Sequence, residues 1–156
     1  MEIEIIEYGN HKQIFYRNGN GVAQRILVLD LNHQIIQDEL SEYDANGKCV
    51  ANMVFAPDHT TVIDMRKYTE NGSEDYRRIN GKLVLVQTRT SRKIDEHTAK
   101  TEFYNADGEL VFYDVFQYEN DEIGMVFSNR FDKNGKELDW GNPGSEYRAL
   151  QNYSDY

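Results

Sequence analysis

The sequence is poor in cysteine, in long apolar runs and in basic residues. Cys49 is the single cysteine among 156 residues, so no disulfide can form within the chain. A chain of this length buries roughly 68–70% of the surface that its unfolded form exposes, so it needs neither a disulfide nor a metal to hold a core. The lack of disulfides suits a reducing compartment such as the cytosol.

Long apolar runs are missing as well. The first residues, MEIEIIEYGNHK, contain neither a basic region nor an apolar run of signal-peptide length. No window approaches the ~20 apolar residues that a membrane-spanning helix needs. We therefore expect a soluble, cytoplasmic protein.

Basic residues are too few to balance the acidic ones. Seventeen Lys and Arg residues stand against 27 Asp and Glu, which gives a formal net charge of −10. Such a charge repels nucleic acids and anionic membranes, whereas it attracts and steers a basic protein partner. The same charge also fits a protein that is merely kept soluble. We expect no nucleic-acid or membrane partner and a chain that is monomeric when free.

Motifs for catalysis and for metal or cofactor binding are equally scarce. The four histidines lack the spacing of metal ligands, and Cys49 lies in a strand pattern that is typical of a buried thiol. The Asx-Gly turns at Gly108 and Gly135 do not fit an EF-hand, because its first ligand position would fall on Phe103 and on Arg130. The sequence also lacks a phosphate-binding Gly-rich loop and a Gly-x-Ser-x-Gly elbow. It predicts no catalytic residue, no metal and no cofactor.

What the sequence has in abundance is one turn motif: an aromatic residue, Asp or Asn, a spacer, Asn or Asp, and Gly. An Asp or Asn at the first turn position accepts a hydrogen bond from the backbone two residues on, and Gly takes the left-handed conformation that ends a type I turn in a bulge. A two-residue type I′ turn fits the Asn-Gly or Asp-Gly pair as well. Either way the motif predicts hairpin tips, which end at Gly47, Gly108, Gly135 and, in a weaker copy, Gly72.

The spacing of these tips predicts the fold class. They recur every 12 to 14 residues from 32 to 71 and again from 107 to 134, which leaves no room for crossover helices. Consecutive strands must therefore pair antiparallel. We predict an all-β single domain over 1–156, a meander of about ten strands, with hairpins over about 15–138. The tail, 139–156, allows at most one short helix, in GSEYRALQNY.

A flat sheet of that size would leave one apolar face exposed, so it must twist, curl or close. A barrel, a strongly curled sheet and a two-layer sandwich each solve this problem. Meander order favours the curled or closed sheet, including an open barrel, over a Greek-key sandwich.

The tips also carry a resemblance to a known repeat. The hexad YDANGK at 43–48 resembles the YD repeat of Rhs-type bacterial toxin shells, whose core is Tyr-Asp, two variable residues, Gly and a basic residue. FDKNGK at 131–136 matches with Phe for Tyr. YNADGE at 104–109 matches with Asn for Asp and with Glu for the basic residue.

Small, acidic, hairpin-repeat proteins of this kind are similar to immunity proteins encoded beside polymorphic toxins of Rhs, contact-dependent or type VI secretion systems. The resemblance implies tight binding of a cognate, basic toxin domain without catalysis. Since no export signal is seen, it implies a toxin that acts in the cytosol, such as a nuclease or an ADP-ribosyltransferase.

Two acidic groups are candidates for binding such a partner. Alternation within a strand places Asp38, Glu42 and Asp44 on one face. A second group surrounds a predicted turn next to an aromatic strand: Glu119, Asp121 and Glu122. Either row could enter a basic active-site cleft as a substitute for phosphate, although a solvated outer face explains both rows equally well.

Aromatic residues are the other candidates, because Tyr and Trp often anchor protein interfaces. Phe112, Tyr113 and Tyr118 cover both faces of one strand, and Trp140 opens an aromatic-rich tail.

Two other classes of function remain open at the level of sequence. A meander can close around an apolar cavity and carry a small molecule, which the aliphatic strands at 22–31 and 82–88 allow. An enzyme on a β scaffold is the third class, and no motif favours it.

Overall fold

A computed structural model describes residues 1–118 and 125–139, and in them every regular element is a strand. The strands in chain order are β1 (Glu2–Glu7), β2 (Lys12–Arg17), β3 (Ala23–Leu29), β4 (Ile35–Tyr43), β5 (Cys49–Phe55), β6 (Val62–Thr69), β7 (Gly72–Ile79), β8 (Lys82–Lys93), β9 (Thr98–Asn105), β10 (Leu110–Tyr118), β11 (Met125–Asp132) and β12 (Glu137–Leu138).

The strands form one antiparallel sheet in which each strand pairs with its neighbours in sequence. The predicted all-β meander is thereby confirmed, and the sheet is open, because β1 and β12 do not pair within the described residues. The sheet has twelve strands where the turn motif predicts about ten. One extra hairpin, β1–β2, turns at 8–11 without the Asx-x-x-Gly pattern, and β12 is only two residues long. No helix capable of crossing a membrane occurs in the part of the chain that is described.

The repeated turn motif forms a type I turn closed by a glycine bulge. At the tip between β4 and β5, Gly47 donates its N–H to the carbonyl of Asp44 over 3.0 Å and has a φ of 79°. The Asp44 carboxylate accepts the backbone N–H groups of Asn46 and Lys48. The tips at 105–108 and 132–135 repeat these contacts. The pair Asn80-Gly81 takes the two-residue form instead, since both residues have positive φ.

Gly72 departs from the expectation that every motif glycine needs a left-handed backbone. It is the first residue of β7 and its φ is not positive. A Cβ at this position would lie 1.8 Å from the carbonyl oxygen of Arg89 in β8. The tip at 70–71 lies against β8, where Ser91 donates its N–H to the carbonyl of Asn71. Gly72 is therefore required because the backbones of β7 and β8 approach too closely for a side chain.

The sheet is curved, and a group of buried side chains in its second half lies on one concave face. The register changes at bulges formed by Val86 in β8 and Val111 in β10, and both valines are buried. A bulge bends its strand and increases the local twist. The following buried side chains share this face by register: Ser73, Thr101, Phe103, Phe112, Asp114 and Arg130. We call this surface, which spans β6 to β11, the concave face.

Candidate functional site

Asp38 of the predicted acidic row is buried. Its side chain is 2% exposed. Arg25 from β3 donates from Nε and Nη2 to the two carboxylate oxygens, over 2.9 and 2.6 Å. Burial by itself would raise the pKa of Asp38, but the hydrogen bonds from Arg25 and His59 more than offset this and lower it. The expectation that Asp38 faces the solvent is therefore wrong.

His59 reaches the same carboxylate from the tip between β5 and β6. Its Nδ1 lies 2.8 Å from Oδ2 of Asp38, and the ring nitrogen must donate, since a carboxylate only accepts. The backbone of His59 has a φ of 61°, so the tip is held in a conformation that non-glycine residues seldom adopt. Arg25, Asp38 and His59 thus tie the β3–β4 hairpin to the tip between β5 and β6, and both oxygens of the Asp38 carboxylate are engaged. Sequence reasoning missed the trio because its members are far apart in the chain.

The other two residues of the row are exposed but differ in availability. Asp44 is committed to its own turn, where Oδ1 accepts two backbone N–H groups. Glu42 is exposed in β4 and is paired across the sheet with Ala51. The acidic row therefore offers the carboxylate of Glu42 to a partner, with that of Asp44 beside it.

The predicted aromatic strand separates into a core side and a surface side. Phe112 is 2% exposed and stacks on Phe103 with ring centroids 4.3 Å apart. Tyr113 lies on the opposite face, where it stacks on Phe131 and carries the Nζ of Lys100 over its ring at 4.2 Å. Tyr118 is half-buried at the end of β10. Phe112 is thus packed as a core residue, while Tyr113 and Tyr118 keep part of their surface exposed.

The remaining predicted partner-binding residues, Glu119, Asp121, Glu122 and Trp140, lie outside the described residues.

The concave face contains a cavity of about 670 Å³, and sequence analysis did not predict its position or its polar lining. Side chains from β6, β8, β9, β10 and β11 and the tip at 70–72 line it. A volume of this size falls within the usual range for ligand sites, about 300–1,000 Å³. Its floor is the buried pair Arg130–Asp114, in which Nε and Nη2 of Arg130 donate to the two carboxylate oxygens over 2.6 and 2.8 Å. The guanidinium also lies over Phe112, 4.3 Å from the ring centroid.

Two arginines on one wall of the cavity differ in their hydrogen bonding. Arg66 donates to both carboxylate oxygens of Asp75, over 2.6 and 3.0 Å, and these contacts raise its pKa. Arg89, half-buried in β8, makes no hydrogen bond or ion pair with any residue of the described chain. An alternating strand pattern shows that Arg89 shares a face with Ser91 and Gln87. Whether a neighbouring strand places a carboxylate near Arg89 cannot be read from that pattern. This explains why sequence reasoning did not select it.

A metal centre is not evident in the described residues, where no three His, Cys, Asp or Glu side chains converge. No known protein family and no curated protein matches the sequence of this chain.

Proposed function

We propose that this chain is an immunity-type inhibitor that binds a basic bacterial toxin domain and blocks it without catalysis. The toxin domain acts in the cytosol, as a nuclease or an ADP-ribosyltransferase would. The observation that carries the proposal is the open, single sheet. The described residues form no second layer, so both faces remain accessible to a partner.

Exposed apolar side chains support a binding role over a purely structural one. In the edge strand β1, Ile3 and Ile5 are 58% and 55% exposed, and they alternate with Glu2 and Glu4. Apolar residues framed by carboxylates suit a partner surface that is apolar at its centre and basic at its rim. The net charge of −10 would steer such a partner towards the chain.

The proposal is tested by co-expression in bacteria with a panel of toxin domains that act either in the cytosol or in the periplasm. We expect this chain to restore growth with one cytosol-acting toxin, and the purified pair to associate faster at low salt. Rescue confined to periplasmic toxins, or no rescue and no binding across the panel, would contradict the proposal.

Surface charge provides a matched pair of variants for the same assay. Glu42→Lys changes an exposed carboxylate on the predicted acidic row, while Asp107→Lys makes the same charge change at an exposed tip that joins β9 and β10. If the row contacts the toxin, Glu42→Lys slows association more than Asp107→Lys does. Equal effects of the two variants would remove the row from the interface.

A small-molecule carrier is the second candidate, and the cavity on the concave face favours it. The cavity is not the closed, apolar lumen of a barrel, because the sheet is open and arginine and aspartate side chains line the wall. A carrier of this kind would take a polar or charged ligand.

A further inference from the structure

The status of Arg89 is exceptional among the arginines of the described residues. Each of the others is paired with a carboxylate or a backbone carbonyl. Hydrogen bonds join Arg17 to Glu4, Arg25 to Asp38, Arg66 to Asp75, Arg77 to Asp64, Arg78 to the carbonyls of Val62 and Gly81, and Arg130 to Asp114, while Arg92 forms a looser ion pair with Glu102. Arg89 alone lacks such a contact there, although it is half-buried and lines the cavity on the concave face. A half-buried guanidinium without an acceptor has lost part of its hydration without gaining a hydrogen bond.

Arg89 is the main source of positive potential in the cavity, because the charges of the other two arginines are balanced. Arg66 and Arg130 are each neutralised by a two-pronged contact with an aspartate. Glu70 also lines the cavity, but it lies exposed at the hairpin tip, where water screens its charge. The site can therefore accept one negative charge, in a protein whose overall charge repels polyanions.

Apolar and hydroxyl groups surround this cation. Phe103, Phe112 and Phe116 supply an apolar wall, and Phe103 is the direct register partner of Arg89. On the other side, Ser73 is the register partner of Arg89 in β7. Its Oγ is fully buried and has no hydrogen-bond partner among the described residues. Buried hydroxyl groups are seldom left without a partner, so Ser73, which does not itself line the cavity, is a second unsatisfied polar group next to Arg89.

We propose that the cavity on the concave face is a binding site for a carboxylate attached to an apolar, preferably aromatic, group. The planar guanidinium of Arg89 donates two parallel hydrogen bonds to the carboxylate, and the phenylalanine wall packs against the apolar part. A single, unassisted arginine suits a monoanion better than a phosphate, for which sites gather several donors. The carboxylate can belong to a free small molecule or to an acidic side chain of a protein partner.

Binding is measured by nuclear magnetic resonance with two carboxylate probes, 3-phenylpropionate for the free acid and the peptide acetyl-Phe-Glu-Phe-amide for an acidic side chain. The neutral controls are 3-phenylpropionamide and the same peptide with Gln in place of Glu. We expect saturable binding of at least one carboxylate probe, a shift of the Arg89 Nε–H resonance, and at least about tenfold weaker binding of its neutral control. The probe that binds more tightly identifies the source of the carboxylate.

Three variants locate the site. Arg89→Gln should weaken binding about tenfold or more, since it removes a charge-assisted pair of hydrogen bonds. Arg92→Gln is the matched control, because it makes the same change on the opposite face of β8 and should leave binding unchanged. Glu70→Gln should strengthen binding, since it removes the carboxylate at the rim.

The proposal is overturned if neither probe binds saturably, if a neutral control binds as well as its acid, or if Arg89→Gln and Arg92→Gln have equal effects. Unfolding curves of each variant show whether the fold is intact. Should Arg89→Gln not fold, Arg89→Lys, which keeps the charge and loses the planar fork, must weaken binding while Arg92→Lys does not. These outcomes do not depend on a toxin, so they leave the proposed inhibitor function to its own test.

Discussion

Arg130 and Asp114 form a two-pronged ion pair at the base of the concave face, and both side chains are less than 10% exposed. Arg130 lies on β11 and Asp114 on β10, where they are direct register partners. Two facing phenylalanines, Phe103 and Phe112, pack against the guanidinium. The pair thus takes the place of apolar packing at the floor of the cavity.

Breaking this pair should destabilise the protein strongly. Asp114→Ala leaves the Arg130 charge buried without its carboxylate, so the free energy of unfolding should fall by about 3–5 kcal/mol. The double variant Asp114→Leu/Arg130→Met should recover most of that loss, because it removes both charges and keeps the volume. Urea unfolding of the two variants checks this. A double variant as unstable as Asp114→Ala would show that the pair has a role that apolar packing cannot fill.

The stability of the protein should depend on pH through Asp38. Its pKa in the folded state is lowered, so its ionised form stabilises the fold above the unfolded-state pKa, near 3.9. That contribution is lost as the pH falls through the folded-state pKa. The free energy of unfolding should therefore differ between wild type and Asp38→Asn at pH 7, and the difference should shrink below about pH 4.

Asp44→Asn is the control for this measurement. It makes the same acid-to-amide change, but Asn105 already forms an equivalent turn in this chain. It should leave stability nearly unchanged. A constant difference between wild type and Asp38→Asn from pH 7 to pH 3 would contradict the assignment.

Glycines at hairpin tips should differ in what they tolerate. Gly72→Ala places a methyl group against the Arg89 carbonyl, so β7 and β8 must separate and the loss should exceed that of Gly47→Ala. Gly47→Ala should cost about 1–2 kcal/mol, since it forces a left-handed backbone on alanine. Gly19→Ala meets no atom within 4 Å and should be tolerated. Thermal unfolding ranks the three, and equal effects of Gly72→Ala and Gly19→Ala would refute the close approach.

Two histidines occupy left-handed positions, and replacing each with glycine should have opposite effects. His33 has a φ of 63° in the place that Gly47 takes in its own tip, so His33→Gly relieves strain and should raise stability by up to about 1 kcal/mol. His59→Gly relieves the same strain but removes the hydrogen bond to Asp38, and should lower stability. Parallel melting curves compare the variants. Stabilisation by both would show that the contact of His59 with Asp38 contributes little.

Charge reversal in β4 should separate the buried acid from the exposed one. Asp38→Lys places a cation beside Arg25 in a buried site, so it should prevent folding or lower the melting temperature markedly. Glu42→Lys lies on the surface and should change the free energy of unfolding by no more than about 0.5 kcal/mol. Circular dichroism melts of the two variants check this, and similar melting temperatures would contradict the burial of Asp38.

The sequence by itself determined the strand order and the chemistry of the tips. Asp44, Asn105 and Asp132 act locally, because each side chain bonds to backbone only two and four residues ahead. Such contacts need no tertiary partner, so the motif alone predicts the turn. Short connections between successive tips then leave only antiparallel neighbours.

Only the tertiary structure decided which face of the sheet became the inside. Alternation shows that Asp38 and Glu42 share a face, yet one is buried and the other exposed, because Arg25 and the tip that carries His59 pack against Asp38. Neighbouring strands and tips also decide which groups lie near His59 and Arg89. Within the described residues, they place Asp38 in contact with His59 and place no carboxylate in contact with Arg89. Period-two alternation assigns side chains to two faces, but it does not show which of them become buried. Burial depends on how many strands curve and pack together, and no single segment of the sequence determines that.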